Sequence, residues 1–120
     1  MSAKRSADRT YCPDQGDIVC LQFNPQRGRE QAGHRRALVL TPRSYNRITR
    51  LCVVCPITSR VKGYPLESAV PPGGDTIGAV LCDHVRSVAW EHRGATFVEK
   101  APPGLLLDTR AKLKALLSIP

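Results

Sequence analysis

Leu51-Cys52-Val53-Val54-Cys55-Pro56 is an uninterrupted apolar run rich in strand-forming residues. A short run without polar alternation is typical of a strand buried on both faces, and this one predicts the central strand of a sheet. The two cysteines have the C-x-x-C spacing of zinc and redox motifs. The sequence contains no second C-x-x-C pair and no H-x₃₋₅-H pair to complete four zinc ligands. Cys52 and Cys55 are therefore interpreted as small hydrophobic residues of the strand.

Further strands are predicted on both sides of this run, each bounded by turn residues. Asn24-Pro25 ends the first of them, and Pro65 marks a weaker segment as an edge strand. Pro42, with Thr41 as a possible cap, favours one helical turn over residues 42–47. The predicted strands are residues 17–23, 36–41, 51–56, 64–70, 78–83, 85–90 and 95–99.

The texture of the sequence changes after Pro102-Pro103. Apolar and basic residues then recur at helical spacing and predict one amphipathic C-terminal helix packed on the strands. The face expected to pack is Leu106, Arg110, Leu113 and Leu117, and the opposite face is Thr109, Lys112 and Lys114. Short strands followed by one helix predict a mainly β protein, a small and partly open antiparallel β-barrel with a C-terminal α-helix.

The chain length of 120 residues fits one domain with its own core. We expect a flexible tail over residues 1–13 and a single domain over 14–120, which opens at the turn Pro13–Gly16. No apolar run approaches the ~20 residues of a membrane span, and the polar N-terminus lacks the apolar core of a secretion signal. Five cysteines in such a chain favour free thiols. These features predict a soluble, cytoplasmic protein with no membrane association.

Positive charge is concentrated in one segment. Residues 27–62 contain nine Lys or Arg and one carboxylate, Glu30, so this stretch alone carries a net charge of +8, the value for the whole chain. Charge packed into less than a third of the sequence is typical of a surface that binds a polyanion. Inside it lie a carboxylate, an imidazole, a guanidinium and two hydroxyls, the groups that phosphodiester chemistry uses. The segment therefore predicts nucleic-acid binding.

Five blocks in order and spacing carry a family resemblance: Gly16-Asp-Ile-Val19, Glu30-Gln-Ala-Gly-His-Arg35, Pro56-Ile-Thr-Ser59, Lys62-Gly-Tyr-Pro65 and Val85-Arg-Ser-Val88. From about Gly16 to the final helix, the chain resembles the MazF/PemK-type toxins, which are sequence-specific endoribonucleases of toxin–antitoxin pairs. The resemblance implies an SH3-like barrel, a homodimer and cleavage of single-stranded mRNA without a metal or other cofactor. It also implies growth arrest by the toxin and neutralisation by a cognate, MazE-like antitoxin.

The resemblance also assigns catalytic residues. Arg35 and Thr58 match the catalytic arginine and threonine of the family, and Glu30 matches the acidic residue of the same loop. Without a metal, the 2′-hydroxyl of the RNA is the simplest nucleophile, and it gives a 2′,3′-cyclic phosphate and a 5′-hydroxyl. The Arg35 guanidinium suits the charge that develops on phosphorus, and Thr58 can donate to a phosphate oxygen.

Glu30 or His34 could move the protons, although Glu30 could instead orient Arg35 and His34 could simply hydrogen-bond the loop. His84 stands where many relatives carry Gln, and Arg36 where many carry Pro, and these two departures bear on which RNA sequence is recognised. The expected RNA-binding residues are Gln31, Gly33, Arg36, Ser59, Arg60, Lys62, Asp83, His84, Arg86 and Ser87. Trp90 is interpreted as a core or dimer-contact residue.

Two other functions remain open on the sequence. A toxin of the same fold that poisons gyrase by binding is one; its relatives act through a Trp-containing C-terminal end, and this chain ends Leu116-Leu-Ser-Ile-Pro120 without Trp. A non-catalytic RNA-binding module that uses only the cationic surface is the other.

Overall fold

The computed structural model describes residues 10–23 and 33–120. Within them, seven strands and two helices follow each other along the chain. The strands are β1 (Asp17–Gln22), β2 (His34–Val39), β3 (Cys52–Thr58), β4 (Glu67–Ala69), β5 (Ala79–Leu81), β6 (Arg86–Val88) and β7 (Thr96–Lys100). The helices are α1 (Arg43–Thr49) and α2 (Leu105–Leu116), and Cys82–His84 forms a short 3₁₀ turn.

The strands form one antiparallel sheet in the order β4-β5-β3-β2-β1-β7, with β6 paired to β3. β3 is central, as predicted, because β2 lies along one edge and β6 and β5 share the other. β4 lies at an edge, as Pro65 indicated. The predicted fold class, a small SH3-like antiparallel barrel with a C-terminal helix, is confirmed.

The sheet is buried on both faces, because side chains that alternate along its strands pack into two apolar clusters. The first cluster is Val19, Leu21, Phe23, Ala37, Val39, Cys52, Val54, Val88 and Trp90. The second lies under α2 and comprises Ile18, Leu38, Cys55, Ile57, Val80, Cys82 and Leu105. Cys52 and Cys55 thus serve opposite faces of β3 as buried hydrophobic residues, which confirms their interpretation. Trp90 is a core residue, and its indole N–H donates to the carbonyl of Asn46 at 3.0 Å.

Several predicted boundaries were wrong in detail. The strand expected over 78–83 is only β5, since Cys82–His84 turns as a 3₁₀ helix. The helical turn expected over 42–47 is the longer α1, whose N-cap is Pro42 rather than Thr41. The hydroxyl of Thr41 instead donates to the buried Asn46 side chain at 2.7 Å.

The predicted packing face of the C-terminal helix was displaced by about one residue. Leu105 and Thr109 are buried, while Leu117, expected on the packed face, is 58% exposed. Leu106 and Leu113 do pack on the second cluster. Two features that the apolar pattern does not reveal accompany this placement: α2 ends at Leu116, before Leu117, and the Ser68 hydroxyl donates to Asp108 at 2.6 Å.

The packed part of the domain begins before residue 14. The Tyr11 hydroxyl donates to the buried carboxylate of Asp17 at 2.7 Å, and Pro13 is fully buried. Residues 11–13, which the sequence assigned to a tail, are therefore held by the domain, and residues 1–9 lie outside the described residues. Neither described helix has the length and apolarity that a membrane span requires.

Candidate active site

A pocket of about 730 Å³ opens where β2 begins and β3 ends. His34 and Arg35 line it from the first residues of β2, and Thr58 and Ser59 line it from the end of β3. Arg60, in the turn after β3, also lines it. With Arg36, the structure thus brings together six of the residues that the sequence singled out.

Arg35 and Thr58 are related by the pairing of their strands. The pairing of β2 with β3 ends at Ala37 opposite Pro56, and Arg35 lies two residues before Ala37 as Thr58 lies two residues after Pro56, so both fall on the same side of their strands. Directly opposite residues of an antiparallel pair project to the same face of the sheet. A guanidinium and a hydroxyl therefore approach one pocket from neighbouring strands.

Two arginines share one aromatic ring beside this pocket. The guanidinium carbon of Arg35 lies 6.0 Å from the ring centroid of Phe23, and that of Arg86 lies 5.3 Å from it. Cations in this position are attracted to the ring. Phe23 is 5% exposed and belongs to the first cluster, so the core fixes the ring that both arginines contact. Arg86 does not line the pocket, but Phe23 keeps it close to Arg35.

The Thr58 hydroxyl has a defined orientation. Its Oγ1 accepts a hydrogen bond from the backbone N–H of Arg60 at 3.0 Å. Because this bond uses an oxygen lone pair, the hydroxyl hydrogen remains available to a ligand. The backbone of Thr58 is also fixed, since it pairs with Ala79 of β5.

Arg36 lines the pocket and also holds a neighbouring segment. Its Nη1 donates to the backbone carbonyl of Asp75 and to the hydroxyl of Thr76, both at 2.8 Å. Glu99 completes this group by accepting the backbone N–H of Asp75 at 3.1 Å. The hydrogen bond from Thr76 is the largest cause that lowers the pKa of the Glu99 carboxyl, with further contributions from backbone N–H donors and from Arg36.

His34 contacts a cysteine at the edge of the pocket. Its Nδ1 lies 3.8 Å from the sulfur of Cys20, a half-exposed residue of β1. Burial raises the pKa of the Cys20 thiol. His34 itself is exposed, so its imidazole is open to a ligand on the pocket side.

Other predicted site residues lie outside the pocket lining. The Asp83 carboxylate accepts a 2.7 Å hydrogen bond from the Tyr64 hydroxyl, and the His84 imidazole lies 3.9 Å from it. Lys62 uses its backbone N–H to donate to Glu67 and leaves its ammonium group exposed.

The remaining predicted residues flank these groups. Ser87 is an exposed residue of β6, and Gly33 accepts the backbone N–H of Phe23 at 2.9 Å. Glu30 and Gln31 lie outside the described residues, so their roles stay predictions.

Three functional candidates were missed from the sequence. Asp75 and Ile77 line the pocket, and Gly78 lies against the backbone of Thr58, where a Cβ on the glycine would come within 1.9 Å of the Thr58 carbonyl oxygen. The run Pro71-Pro-Gly-Gly-Asp75 indicated a turn but not what the turn would contact. Among residues 10–23 and 33–120, no three His, Cys, Asp or Glu side chains group in a way that could hold a metal ion.

Comparison with known proteins gives consistent matches over almost the whole chain. The family described as PemK-like, MazF-like toxin of type II toxin–antitoxin system matches residues 14–117. The endoribonuclease toxin MazF of Escherichia coli K12 is 44% identical over 107 residues, covering 89% of this chain and 96% of its own. The endoribonuclease PemK of Escherichia coli is 34% identical over 120 residues, covering 96% and 90%.

Solved structures agree with these matches. MazF from Deinococcus radiodurans superimposes with a TM-score of 0.83 at 48% identity, over 91% of this chain and 99% of that one. A MazE–MazF complex from the same organism gives a TM-score of 0.85 at 47% identity, over 92% and 99%. The chain belongs to the family of PemK-like, MazF-like toxins of type II toxin–antitoxin systems.

Proposed function

We propose that this toxin is an endoribonuclease that cleaves single-stranded RNA at a short sequence, with the 2′-hydroxyl of the substrate as nucleophile. The observation that carries the proposal is that Arg35 and Thr58 line one pocket from the adjacent strands β2 and β3. The family supports the reaction class, since the relatives at 44% and 34% identity are named endoribonucleases.

The chemistry needs charge stabilisation above all. As the 2′-oxygen bonds to phosphorus and the bond to the 5′-oxygen breaks, negative charge builds on the non-bridging oxygens. The planar donor fork of Arg35 matches two such oxygens, and the free hydroxyl hydrogen of Thr58 serves a third contact. The products are a 2′,3′-cyclic phosphate and a 5′-hydroxyl, and DNA is resistant because it lacks the nucleophile.

Proton transfer is assigned to His34 and Glu30. One group takes the proton of the 2′-hydroxyl and another supplies a proton to the departing 5′-oxygen. His34 lines the pocket, and imidazole is the side chain most often used for proton transfer. Glu30 matches the acidic residue of the family loop and is the second proton-transfer group. The pH–rate profiles of single variants at His34 and Glu30 distinguish the base from the acid.

The RNA strand is positioned by cations around the pocket. Arg60 lines the pocket, Arg86 shares the Phe23 ring with Arg35, and the ammonium group of Lys62 is exposed. Such groups contact phosphates and fix register without reading bases. The contacts predicted for Gln31, Gly33, Arg36, Ser59, Asp83, His84 and Ser87 belong to the same proposal.

A homodimer and a cognate, MazE-like antitoxin complete the proposed system, which acts in the cytoplasm on mRNA and stops growth. The antitoxin is supported by the similar structures of MazE–MazF complexes from Deinococcus radiodurans. Gyrase poisoning and RNA binding without cleavage are not favoured, because the curated relatives are endoribonucleases by name.

The test is cleavage of a long RNA in EDTA by the purified protein, with sequencing of the new 5′ ends. Arg35→Ala and Thr58→Ala should each lower the rate by about 100-fold or more. Arg47→Ala, which removes an exposed cation from α1, is the matched control and should cleave normally. Full activity in both pocket variants would reject the mechanism, and intact RNA with the wild-type protein would reject the function.

A further inference from the structure

The pocket contains a group of lining residues that the proposed chemistry does not use. Asp75 and Ile77 come from the segment 73–78, which connects the turn after β4 to β5. Ile77 is 73% exposed and Asp75 is exposed, so both side chains are open to a ligand. Several large apolar side chains are exposed in the described part of the chain, and Ile77 is the one of them that lines this pocket.

The backbone of this segment is held in place from two sides. Arg36 donates to the Asp75 carbonyl and to the Thr76 hydroxyl, and Glu99 accepts the Asp75 N–H. Thr76 is only 2% exposed. The segment is therefore a fixed surface, which is what discrimination between similar ligands requires.

Gly78, at the end of the segment, lies directly against the end of β3. Gly78 has a φ of +116°, and a Cβ there would lie 1.9 Å from the carbonyl oxygen of Thr58 and 3.1 Å from the Cα of Ser59. A ligand group bound by segment 73–78 is consequently close to a phosphate bound at Thr58. In an RNA strand, that group is a base next to the scissile linkage.

The charge of Asp75 indicates which part of the RNA it contacts. Among the described residues that line the pocket it is the one carboxylate, and three arginines line the pocket with it. Its side chain makes no hydrogen bond or ion pair with the rest of the described chain, since its two bonds use the backbone. An ionised carboxylate repels phosphate and only accepts hydrogen bonds, so its partner must donate.

We propose that segment 73–78 determines sequence specificity: Asp75 accepts hydrogen bonds from the amino group of one RNA base, and Ile77 packs on the face of that base. The proposal rests on the endoribonuclease function proposed above. Adenine, cytosine and guanine each present an amino group on the Watson–Crick edge, the edge that proteins read in single-stranded RNA. Uracil presents two carbonyl oxygens and one N–H there and is disfavoured.

The experiment is cleavage of an RNA library with ten random positions, followed by sequencing of the products. The wild type should select against uracil at one position beside the cleavage site, by between about 5-fold and 100-fold, the range for a good side-chain–base pair. In Asp75→Ala, the ratio of cleavage with another base to cleavage with uracil at this position should fall to about 1, while the preferences at other positions remain. Asp75→Asn, whose amide can also donate, should admit uracil. Ile77→Ala should slow cleavage of all sequences without changing the preference.

Glu91→Gln is the matched control, since it removes a carboxylate that is exposed outside the pocket. It should keep the wild-type preferences. Wild-type preferences at every position in Asp75→Ala, with cleavage intact, would overturn the specificity assignment and leave the endoribonuclease function standing. Absence of cleavage by the wild type would reject both proposals.

Discussion

Arg35 and Thr58 lie on the same side of adjacent strands, two residues beyond the last recorded pair, Ala37 and Pro56, and line one pocket. Both lie at strand ends rather than in a loop, and β3 is hydrogen-bonded along both of its edges. Sites built on regular elements hold their geometry more closely than sites on loops. The barrel thus fixes the two groups that the proposed reaction needs most.

The role of the Thr58 hydroxyl can be separated from the role of the branched shape of the Thr58 side chain. Thr58→Ser keeps the hydroxyl and should retain cleavage within a fewfold. Thr58→Val keeps the shape and should lose about 100-fold or more, as when one preorganised donor is removed from an active site. Single-turnover cleavage of one defined RNA is the measurement. Equal rates for the serine and valine variants would show that the hydroxyl does not act in the reaction.

Gly78 should be required for activity because of its contact with Thr58. Gly78→Ala places a Cβ against the Thr58 carbonyl and must displace the end of β3, so cleavage should fall by at least tenfold. Gly104→Ala is the control: Gly104 lies outside segment 73–78 and has a φ of +90°, but an added Cβ meets nothing within 4 Å. Both variants carry the backbone strain of a positive φ, and only Gly78→Ala carries the clash. Matching activities in the two would contradict a positioning role for Gly78.

Asn46 should be a main determinant of stability. It is fully buried, its amide group donates to the carbonyls of Pro13 and Thr41, and its oxygen accepts the Thr41 hydroxyl. Asn46→Ala leaves these groups unpaired and should cost about 2–4 kcal/mol of unfolding free energy, at roughly 1–3 kcal/mol for each buried group left unsatisfied. Urea unfolding measures the loss. Ser44→Ala, at an exposed position of α1, should stay within about 0.5 kcal/mol of the wild type.

Acid should weaken the fold partly through Glu99. The pKa of its carboxyl is lowered in the folded protein, below the ordinary 4.5, chiefly by the hydrogen bond from Thr76. A carboxyl with a depressed folded pKa stabilises the fold above its unfolded pKa, and this contribution is lost as pH falls through the folded value. Thermal unfolding between pH 7 and pH 3 should therefore show a shallower decline below about pH 4.5 for Glu99→Gln than for the wild type. Superimposable declines would exclude this contribution.

The five thiols should fall into two classes of reactivity. Cys12 and Cys20 are partly exposed, whereas Cys52, Cys55 and Cys82 are buried. Burial raises the pKa of Cys52 and of Cys55 to about 12, and only the thiolate reacts readily. A thiol reagent at pH 8 should modify two cysteines in the native protein and all five in denaturant. Rapid modification of Cys52 or Cys55 without denaturant would contradict their burial.

The sequence predicted best those features in which a residue or a short run determines the structure of its own backbone. The apolar run around Cys52 and Cys55 predicted a central strand, and Pro65 predicted an edge strand, because each feature acts through its own backbone. The packed face of α2 was predicted less well. Spacing alone favoured Leu117, but α2 ends at Leu116, and Thr109 is buried instead, next to the Asp108 that accepts the Ser68 hydroxyl.

The residues of the site also divide into those that the sequence could predict and those that it could not. Arg35 and Thr58 belong to sequence blocks with a recognisable family pattern, so they could be singled out without a structure. Asp75 and Ile77 could not, because their position depends on the Arg36 side chain, which lies 39 residues earlier in the chain. A turn motif states that the chain reverses, but it does not state which part of the protein the turn will contact.

The pairing of β3 along both of its edges determines how the pocket responds when single strands of the sheet open. Amide hydrogens of a strand bonded along both edges exchange with solvent most slowly, whereas β4, at the margin of the sheet, frays first. Thr58 pairs with Ala79 of β5, so fraying of β4 alone should leave the Thr58 hydroxyl in the pocket, whereas opening of β5 should release it.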